Sequence, residues 1–405
     1  MSAAPRYWSL LLPAALLLMV TMGIRQSLGL FVSPINTTTG MGIVAVSFAL
    51  AMGQLVWGIA QPIFGAVANR YGAGRVLVLG AVLSALGIGM APLMPSAWGL
   101  VFALGVVASA GAGAGAFSIL IGSVSQHLQP ERRSFAAGFI NAGGSFGQFL
   151  FAPLVQVCIS AFGWMGAMYT LAVITLASSP LARPLRRRQP SVAEEAKPVA
   201  QGEGLRAQLS AAFRDRSYLL VHAGFFTCGL HVSFLMTHLP GEVELCGLSA
   251  QVSANALALV GLANIAGSLA AGVLGQRFRA KDLLFCFYMS RALLIAAYLL
   301  APKSALTMYW FALGLGFTFL ATVPPTAGLV GKLFGTRYLA TLFGMTLLSH
   351  QIGGFLGAWL GGVTVASTGS YQWMWYADAA LALFAAFTNL PIREVKPGAP
   401  ALARA

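Results

Sequence analysis

The sequence has few charged residues, and acidic residues are the scarcest among them. Only 8% of the 405 residues are charged, with 10 aspartates and glutamates against 24 lysines and arginines. Soluble domains carry about 25% charged residues, and 58% of this chain is hydrophobic. A soluble fold of this length has too little interior to hide so much apolar surface. The composition therefore excludes an ordinary soluble domain and predicts a protein embedded in a lipid bilayer.

The sequence also lacks the signatures of metal sites, disulfide frameworks, nucleotide-binding loops and nucleic-acid-binding patches. The four cysteines are scattered without paired spacing, so neither a zinc site nor a disulfide framework is expected. No Gly-x-x-x-x-Gly-Lys-(Ser/Thr) loop occurs, which argues against ATP hydrolysis. The net charge of +14 does not indicate nucleic acid, because the basic residues fall in short separate segments. We therefore expect no enzyme, no cofactor, no metal and no nucleic-acid partner.

Long continuous apolar runs are what the sequence does contain, as between Leu10 and Val20. Runs of this length predict helices, because a membrane β-barrel would show short alternating segments. The twelve predicted spans are 8–33, 43–67, 75–94, 98–125, 134–159, 163–182, 217–240, 249–274, 281–301, 304–330, 337–365 and 370–391. The expected architecture is an all-α polytopic membrane protein, with six-helix bundles at 1–182 and 217–405. The polar linker at 183–216 is expected to carry a short surface helix from Leu205 to Phe213.

Basic residues predict the orientation of the bundle. Every lysine and arginine except Arg25, Arg291 and Lys303 falls in segments that lie on one side if the twelve spans alternate. Because basic loops stay in the cytoplasm, both termini are predicted to be cytoplasmic. The Ala-, Gly- and Leu-rich composition is typical of bacteria, so we expect a protein of the bacterial inner membrane. We also expect it to be a monomer.

The loop after the second span carries glycines and basic residues in a fixed pattern, namely Gly65, Asn69, Arg70, Gly72 and Arg75. A degenerate copy follows the eighth span. This pattern and the six-linker-six layout resemble the major facilitator superfamily. The resemblance implies two bundles that rock about a central cavity lined mainly by spans 1, 4, 7 and 10, with spans 2, 5, 8 and 11 beside them. It also assigns these loop residues to gating. The family usually has aspartate where this chain has Asn69, so its outward-facing latch should be weaker here.

Three segments, at 23–31, 230–240 and 350–357, resemble the bacterial branch related to monocarboxylate and oxalate/formate transporters. That resemblance implies transport of a small organic anion, such as a monocarboxylate, by alternating access. The transport is expected to be either secondary active, with a proton or an exchanged ion as the coupling partner, or facilitative. Those relatives commonly bind the anion with a basic residue in span 8, which has none here, so the cation must lie elsewhere. An efflux carrier for hydrophobic compounds is the alternative substrate class. A non-transporting membrane receptor is the alternative of another kind.

Arg25 is the leading candidate for contact with the substrate. It lies deep in span 1, where a guanidinium needs an anion, backbone carbonyls or the water of a cavity. A planar guanidinium can hold a carboxylate through two parallel hydrogen bonds. The alternative is an arginine tied to helix ends.

His231 and His238 are seven residues apart, which places them on one face of span 7. Either could bind solute, and His231 could also carry a proton; polar packing is the alternative for both. Asp378, the one carboxylate within a predicted span, is a second candidate for proton coupling, with an interfacial acid as the alternative. Arg291 in span 9 is expected to be structural.

Other intramembrane polar residues could line the cavity or pack between helices. These second-rank candidates are Gln54, Asn141, Gln148, His350 and Gln351. Pro324 and Pro325 are predicted to kink span 10 at the depth of the cavity, because proline cannot donate a backbone hydrogen bond.

Overall fold

The computed structural model describes residues 4–94, 96–125, 128, 130–186, 205–334 and 339–394. These residues are nearly all helical, and no strand occurs among them. Nine helical runs in this part of the chain are long and apolar enough to cross a membrane, and one of them, Ala136–Ala182, contains two helices. Two further helices near the C-terminal end complete twelve, which confirms the predicted fold class.

The first half of the chain forms six helices close to the positions that hydropathy predicts. α1 is Ala4–Gln26, extended by Leu28–Phe31 and Val32–Thr39; α2 is Ile43–Tyr71; α3 is Ala73–Met90; α4 consists of Ala97–Leu100, Val101–Ala108, Ser109–Ala114 and Phe117–Ser125; Pro130–Ala177 contains α5 and α6. The boundary between α5 and α6 is Gly163, whose φ of 68° is readily adopted only by glycine.

The second half repeats this arrangement. A short helix, Leu205–Arg214, precedes it and confirms the helix expected in the linker. α7 is Arg216–Leu245, α8 is Ala250–Leu274, α9 is Ala280–Leu300, α10 consists of Ala305–Phe319 and Val323–Phe334, α11 is Leu339–Thr368, and α12 is Gln372–Asn389. The rest of the linker, 187–204, lies outside the described residues.

Small residues let helices of each half pack closely. In the first half, Gly143 and Gly147 of α5 lie against the backbone of Ala15 and Met19 in α1. In the second half, α11 packs on α7 in the same way, with Gly353 against the carbonyl of Phe226. Between membrane helices, where no hydrophobic effect drives association, such close backbone contact is a main source of stability.

Successive helices run in opposite directions, so the bundle has two ends. We call the end that carries the start of α1 and the turns at Gly72 and Gly275 the terminal end, and the end with the turns at Gly40 and Gly247 the far end. This distinction locates the opening of the cavity.

Candidate functional site

A large cavity, about 2310 Å³ in volume, lies between the two halves of the molecule. Its lining comes from α1, α2, α4, α5, α7, α8, α10 and α11. The lining extends from Arg25 and Gln54 in the middle of the bundle to Gly72 and Gln276 in the turns of the terminal end. The cavity therefore reaches the terminal end, and its walls come from the helices that the resemblance predicts.

Arg25 lines this cavity, where two side chains of α2 hold it. Its Nη2 donates a hydrogen bond to Gln54 Oε1, and its guanidinium carbon lies 4.1 Å from the centre of the Trp57 ring. No carboxylate in the described part of the chain forms an ion pair with it. A cation stacked on an indole keeps its in-plane donors available, so Arg25 presents positive charge to the cavity.

Helices α7 and α11 contact α2 next to the side chains that hold Arg25. Gln54 and Ser233 both lie against Gly354, so polar side chains from α2 and α7 meet at α11 beside Arg25. Gln351 packs against Gly58 of α2 in the same region.

His350 and Gln351 of α11 both line the cavity and are largely buried. Their side chains lie 3.3 Å apart, between His350 Nδ1 and Gln351 Nε2. The other ring nitrogen of His350, Nε2, has no hydrogen-bond partner among the described residues.

The two predicted polar residues of α5 have different positions. Asn141 lines the cavity. Gln148 is fully buried outside its lining, and its Nε2 lies 3.2 Å from both Met236 Sδ and the carbonyl of Leu257. Gln148 therefore joins α5 to α7 and α8 across the two halves, which is the packing role.

The shared face of His231 and His238 is present, but it lies against α12 and not along the cavity. His231 Nδ1 is 2.5 Å from Asp378 Oδ2, and both side chains are fully buried. His238 Nδ1 is 3.3 Å from the Tyr371 hydroxyl, and its Nε2 is 2.7 Å from the carbonyl of Ala358. The geometry therefore gives neither histidine direct access to a solute in the cavity.

Two expectations about ionisable residues are wrong. Asp378 is fully buried against His231, so the alternative of an interfacial acid fails. Asp378 is also not the one carboxylate within a spanning helix, because α7 continues to Leu245 and includes Glu242 and Glu244.

Arg291 is fully buried within the second bundle and does not face lipid. Its Nη2 donates to the carbonyls of Thr318 at 2.8 Å and Phe319 at 3.4 Å. Arg291 is therefore tied to the end of the first segment of α10.

The predicted break in span 10 is confirmed. The helix stops at Phe319 and restarts at Val323, directly before Pro324 and Pro325. The prolines offer no N–H to the carbonyls one turn earlier. At the break itself, the backbone N–H of Leu320 donates a hydrogen bond to Asn264 Oδ1 at 3.1 Å. Pro324 lines the cavity and Pro325 is buried.

The predicted gating loop lies where the cavity reaches the terminal end. Gly65 and Gly72 line the cavity, and Gly72, with a φ of 92°, links α2 to α3. Arg70 and Arg75 are exposed. The side chain of Asn69 lies outside the described part of the chain.

Contacts between the two halves close the far end. Gly29 of α1 lies against the carbonyl of Met236 in α7, which leaves no space for a side chain. Ser33 Oγ donates to Glu244 Oε1 at 3.0 Å. Glu242 is held within the second half by the Tyr298 hydroxyl at 2.5 Å. The molecule is therefore open at the terminal end and closed at the far end.

Sequence reasoning missed Trp57 and Ser233 as neighbours of the Arg25 site. Trp57 lies three residues after Gln54 in α2, nearly one helical turn, so this spacing could have placed both on one face. Ser233 is two residues after His231, and no pattern distinguishes it.

Comparison with known proteins agrees with this architecture. Residues 14–358 and 243–405 match the model of the Major Facilitator Superfamily. Monocarboxylate transporter 13 of Bos taurus is 27% identical over 380 residues, which cover 90% of this chain and 84% of that protein. An uncharacterized MFS-type transporter, YcxA, of Bacillus subtilis (strain 168) is 22% identical over 383 residues, covering 92% of this chain and 91% of that one.

Solved structures share the fold at low sequence identity. A D-xylose-proton symporter superposes with a TM-score of 0.75 at 14% identity, covering 96% of this chain and 98% of that one. A bacterial homolog of the human lysosomal transporter Spinster, in an inward-facing and unoccupied conformation, gives a TM-score of 0.73 at 14% identity, covering 96% and 99%. The family and these relatives are transporters and not enzymes, as the sequence predicted. This multi-pass membrane protein belongs to the Major Facilitator Superfamily.

Proposed function

We propose that this chain is a secondary transporter of a small organic anion, such as a monocarboxylate, and that Arg25 is its main electrostatic contact. The observation that carries the proposal is a guanidinium in the lining of the central cavity without an ion pair to any described carboxylate. An intramembrane charge is expensive and marks a substrate pathway by default. A carboxylate bound there would supply the missing counter-charge.

The neighbours of Arg25 support recognition of a compact anion. Gln54, Ser233 and Gln351 supply polar groups around the guanidinium. Trp57 fixes the plane of the guanidinium, so that two N–H groups can face one carboxylate. The relatives named monocarboxylate transporters, matched over nine-tenths of this chain, support the same substrate class.

In a transporter that works by alternating access, the open end of the cavity shows from which side of the membrane the solute can enter in this conformation. With the termini in the cytoplasm, as the basic residues predict, the described conformation is open to the inside and closed to the outside. The anion would enter or leave beside Gly72 and Gln276, and transport requires the contacts at Gly29 and Ser33 to separate. We expect a monomer in the cell inner membrane to carry out this cycle.

Counterflow in proteoliposomes tests the proposal. Liposomes that contain the purified protein are loaded with unlabelled lactate, formate or oxalate. Entry of the labelled acid is then measured without a pH gradient. We expect entry in the wild type and a loss of more than about tenfold in Arg25→Ala, because a lost charge-assisted contact costs about 1.5–3 kcal/mol.

Arg183→Ala is the matched control, since it removes an exposed arginine outside the cavity lining and outside both copies of the gating loop. Its counterflow should equal that of the wild type, and thermal unfolding should show that both variants are folded. The proposal is wrong if none of the acids exchanges while a hydrophobic cationic drug does. That result would favour the efflux carrier, for which the apolar part of the cavity wall would be the binding surface.

A further inference from the structure

A second polar site lies within the C-terminal bundle, behind the wall of the cavity. It contains His231 of α7, Arg291 of α9 and Asp378 of α12, and all three side chains are fully buried. Ionisable groups at such positions lose favourable hydration on burial, and Arg291 lies close enough to His231 to act on its charge. Three of them in one place, in a chain with few acidic residues, indicate a function beyond packing.

The hydrogen bonds of this cluster are incomplete. His231 Nε2, Asp378 Oδ1, and both Nε and Nη1 of Arg291 have no partner among the described residues. A cluster that served only to stabilise the bundle would be expected to satisfy these atoms, because a buried polar atom without a hydrogen bond destabilises the fold. Unused donors and acceptors allow the cluster to exist in more than one bonding arrangement.

Arg291 connects the cluster to the break in α10. Its Nη2 bonds to the carbonyls of Thr318 and Phe319, which end the first segment of that helix. It does not form an ion pair with Asp378, the carboxylate of its own cluster. The position of the guanidinium therefore depends on how much negative charge Asp378 presents.

Polar side chains lead from the cluster toward the cavity. Cys228, one helical turn before His231, lies beside His350 and within the electrostatic range of Arg291. Its Sγ is 3.3 Å from Thr322 Oγ1 in the break of α10. His350 itself lines the cavity. A proton in the cavity is thus separated from His231 by groups that can exchange hydrogen bonds.

We propose that the His231–Asp378 pair is the proton-binding site that couples this transporter to a pH gradient, and that Arg291 transmits its occupancy to α10. With a proton shared between Nδ1 and Oδ2, the pair is neutral overall and Arg291 stays on the carbonyls of α10. When the proton leaves for the cavity, Asp378 keeps an unbalanced negative charge. Attraction then draws Arg291 away from Thr318 and Phe319, which frees α10 to change shape. This inference rests on the proposed transport of an anion.

The groups around the pair set the conditions of its titration. The titratable groups that act on His231, besides Asp378, are Cys228 of α7 and Arg291 of α9. Cys228 is in turn flanked by Tyr288 of α9 and His350 of α11. α10 contributes the neutral Thr322. Arg291 is the one cation among these described neighbours, so it is the group whose position responds to the charge of Asp378.

Accumulation driven by a pH gradient tests the inference separately from transport itself. One proton per anion concentrates the solute about tenfold for each pH unit of gradient. We expect the wild type to reach this ratio, with matching alkalinisation of the medium reported by an external pH dye. Asp378→Asn and His231→Gln should show no accumulation and no proton movement. In His231→Gln, where Asp378 keeps its charge, counterflow without a gradient should stay within about threefold of wild type. In Asp378→Asn, where Arg291 stays on the carbonyls of α10, counterflow should slow as well.

His238→Gln is the matched control. It alters the other buried histidine of the same helix face, whose hydrogen-bond partners among the described residues are the Tyr371 hydroxyl and the carbonyl of Ala358, not a carboxylate. It should accumulate solute as the wild type does, and so should Asp378→Glu, which keeps an acid. Full accumulation in Asp378→Asn overturns the inference. The inference is also wrong if the wild type shows normal counterflow but moves no protons under a pH gradient. That result would leave the proposed function intact. Absent counterflow in the wild type would instead remove the proposed function.

If Asp378→Asn does not fold, His231→Gln and the wild-type proton measurement decide the outcome.

Discussion

At the scale of single residues, Arg25 and Arg291 are two arginines within spanning helices whose different surroundings allow different functions. Arg25 lies in the cavity lining, with one hydrogen bond to Gln54 and an aromatic face beneath it. Arg291 has two backbone carbonyls and no surface in the cavity. Both are deep in spanning helices, yet only Arg25 can reach a solute.

Trp57 gives a prediction at this scale. Trp57→Ala removes the ring that orients Arg25 and should raise the KM for the transported anion a few-fold to about thirtyfold, because a cation–π contact contributes about 0.5–2 kcal/mol. Trp57→Phe keeps an aromatic face and should lose less. Initial rates of uptake in proteoliposomes measure both values. Equal KM in Trp57→Ala and wild type would show that the ring does not position Arg25.

At the scale of elements, α10 is a broken helix whose two segments are held by other helices. Asn264 of α8 accepts the backbone N–H of Leu320, and Arg291 of α9 donates to the carbonyls before the break. Broken helices in membranes are tolerated where they line a cavity and their backbone groups find such partners. This break lies between the cavity and the buried cluster, so it can respond to both.

The double variant Pro324→Ala, Pro325→Ala tests the break. Restoring two N–H groups lets the helical hydrogen bonds continue, so α10 should straighten and resist rearrangement. We expect counterflow to slow by more than about tenfold, since such rearrangements commonly limit turnover, with no loss of thermal stability. Pro302→Ala, in the turn before α10, is the control. Normal counterflow in the double variant would mean that the break has no part in transport.

At the scale of the whole molecule, the two ends of the bundle differ. The terminal end is open between the halves, and the far end is closed by α1 against α7, through Gly29 and Met236, and by the hydrogen bond from Ser33 to Glu244. Transport by alternating access requires these far-end contacts to break in each cycle.

A cross-link across the far end tests this requirement. Ser33→Cys with Glu244→Cys, in a variant without the four native cysteines, places two thiols where the side chains now meet. A short thiol-reactive cross-linker should reduce transport to background by holding the far end closed, and a reductant should restore it. The two single-cysteine variants should keep their activity under the same treatment. Unimpaired transport by cross-linked protein would exclude opening at this position.

Much of the architecture follows from local patterns. Apolar runs locate the twelve helices, and paired prolines predict the break in α10. The seven-residue spacing of His231 and His238 correctly puts them on one face, and the same spacing separates their partners, Asp378 and Tyr371. The spacing could not predict which helix packs on the face of α7 that carries His231 and His238, because any neighbouring helix could have covered it.

The sequence by itself determined a polytopic helical transporter fold, because hydrophobicity and helical hydrogen bonding act within each segment and need no distant partner. Only the tertiary structure decided the roles of the few ionisable residues. Arg25 reaches the cavity, whereas Asp378 meets a histidine 147 positions earlier in the chain. The cost of a buried charge depends on the groups within a few ångströms of it, and the packing of the helices supplies those groups.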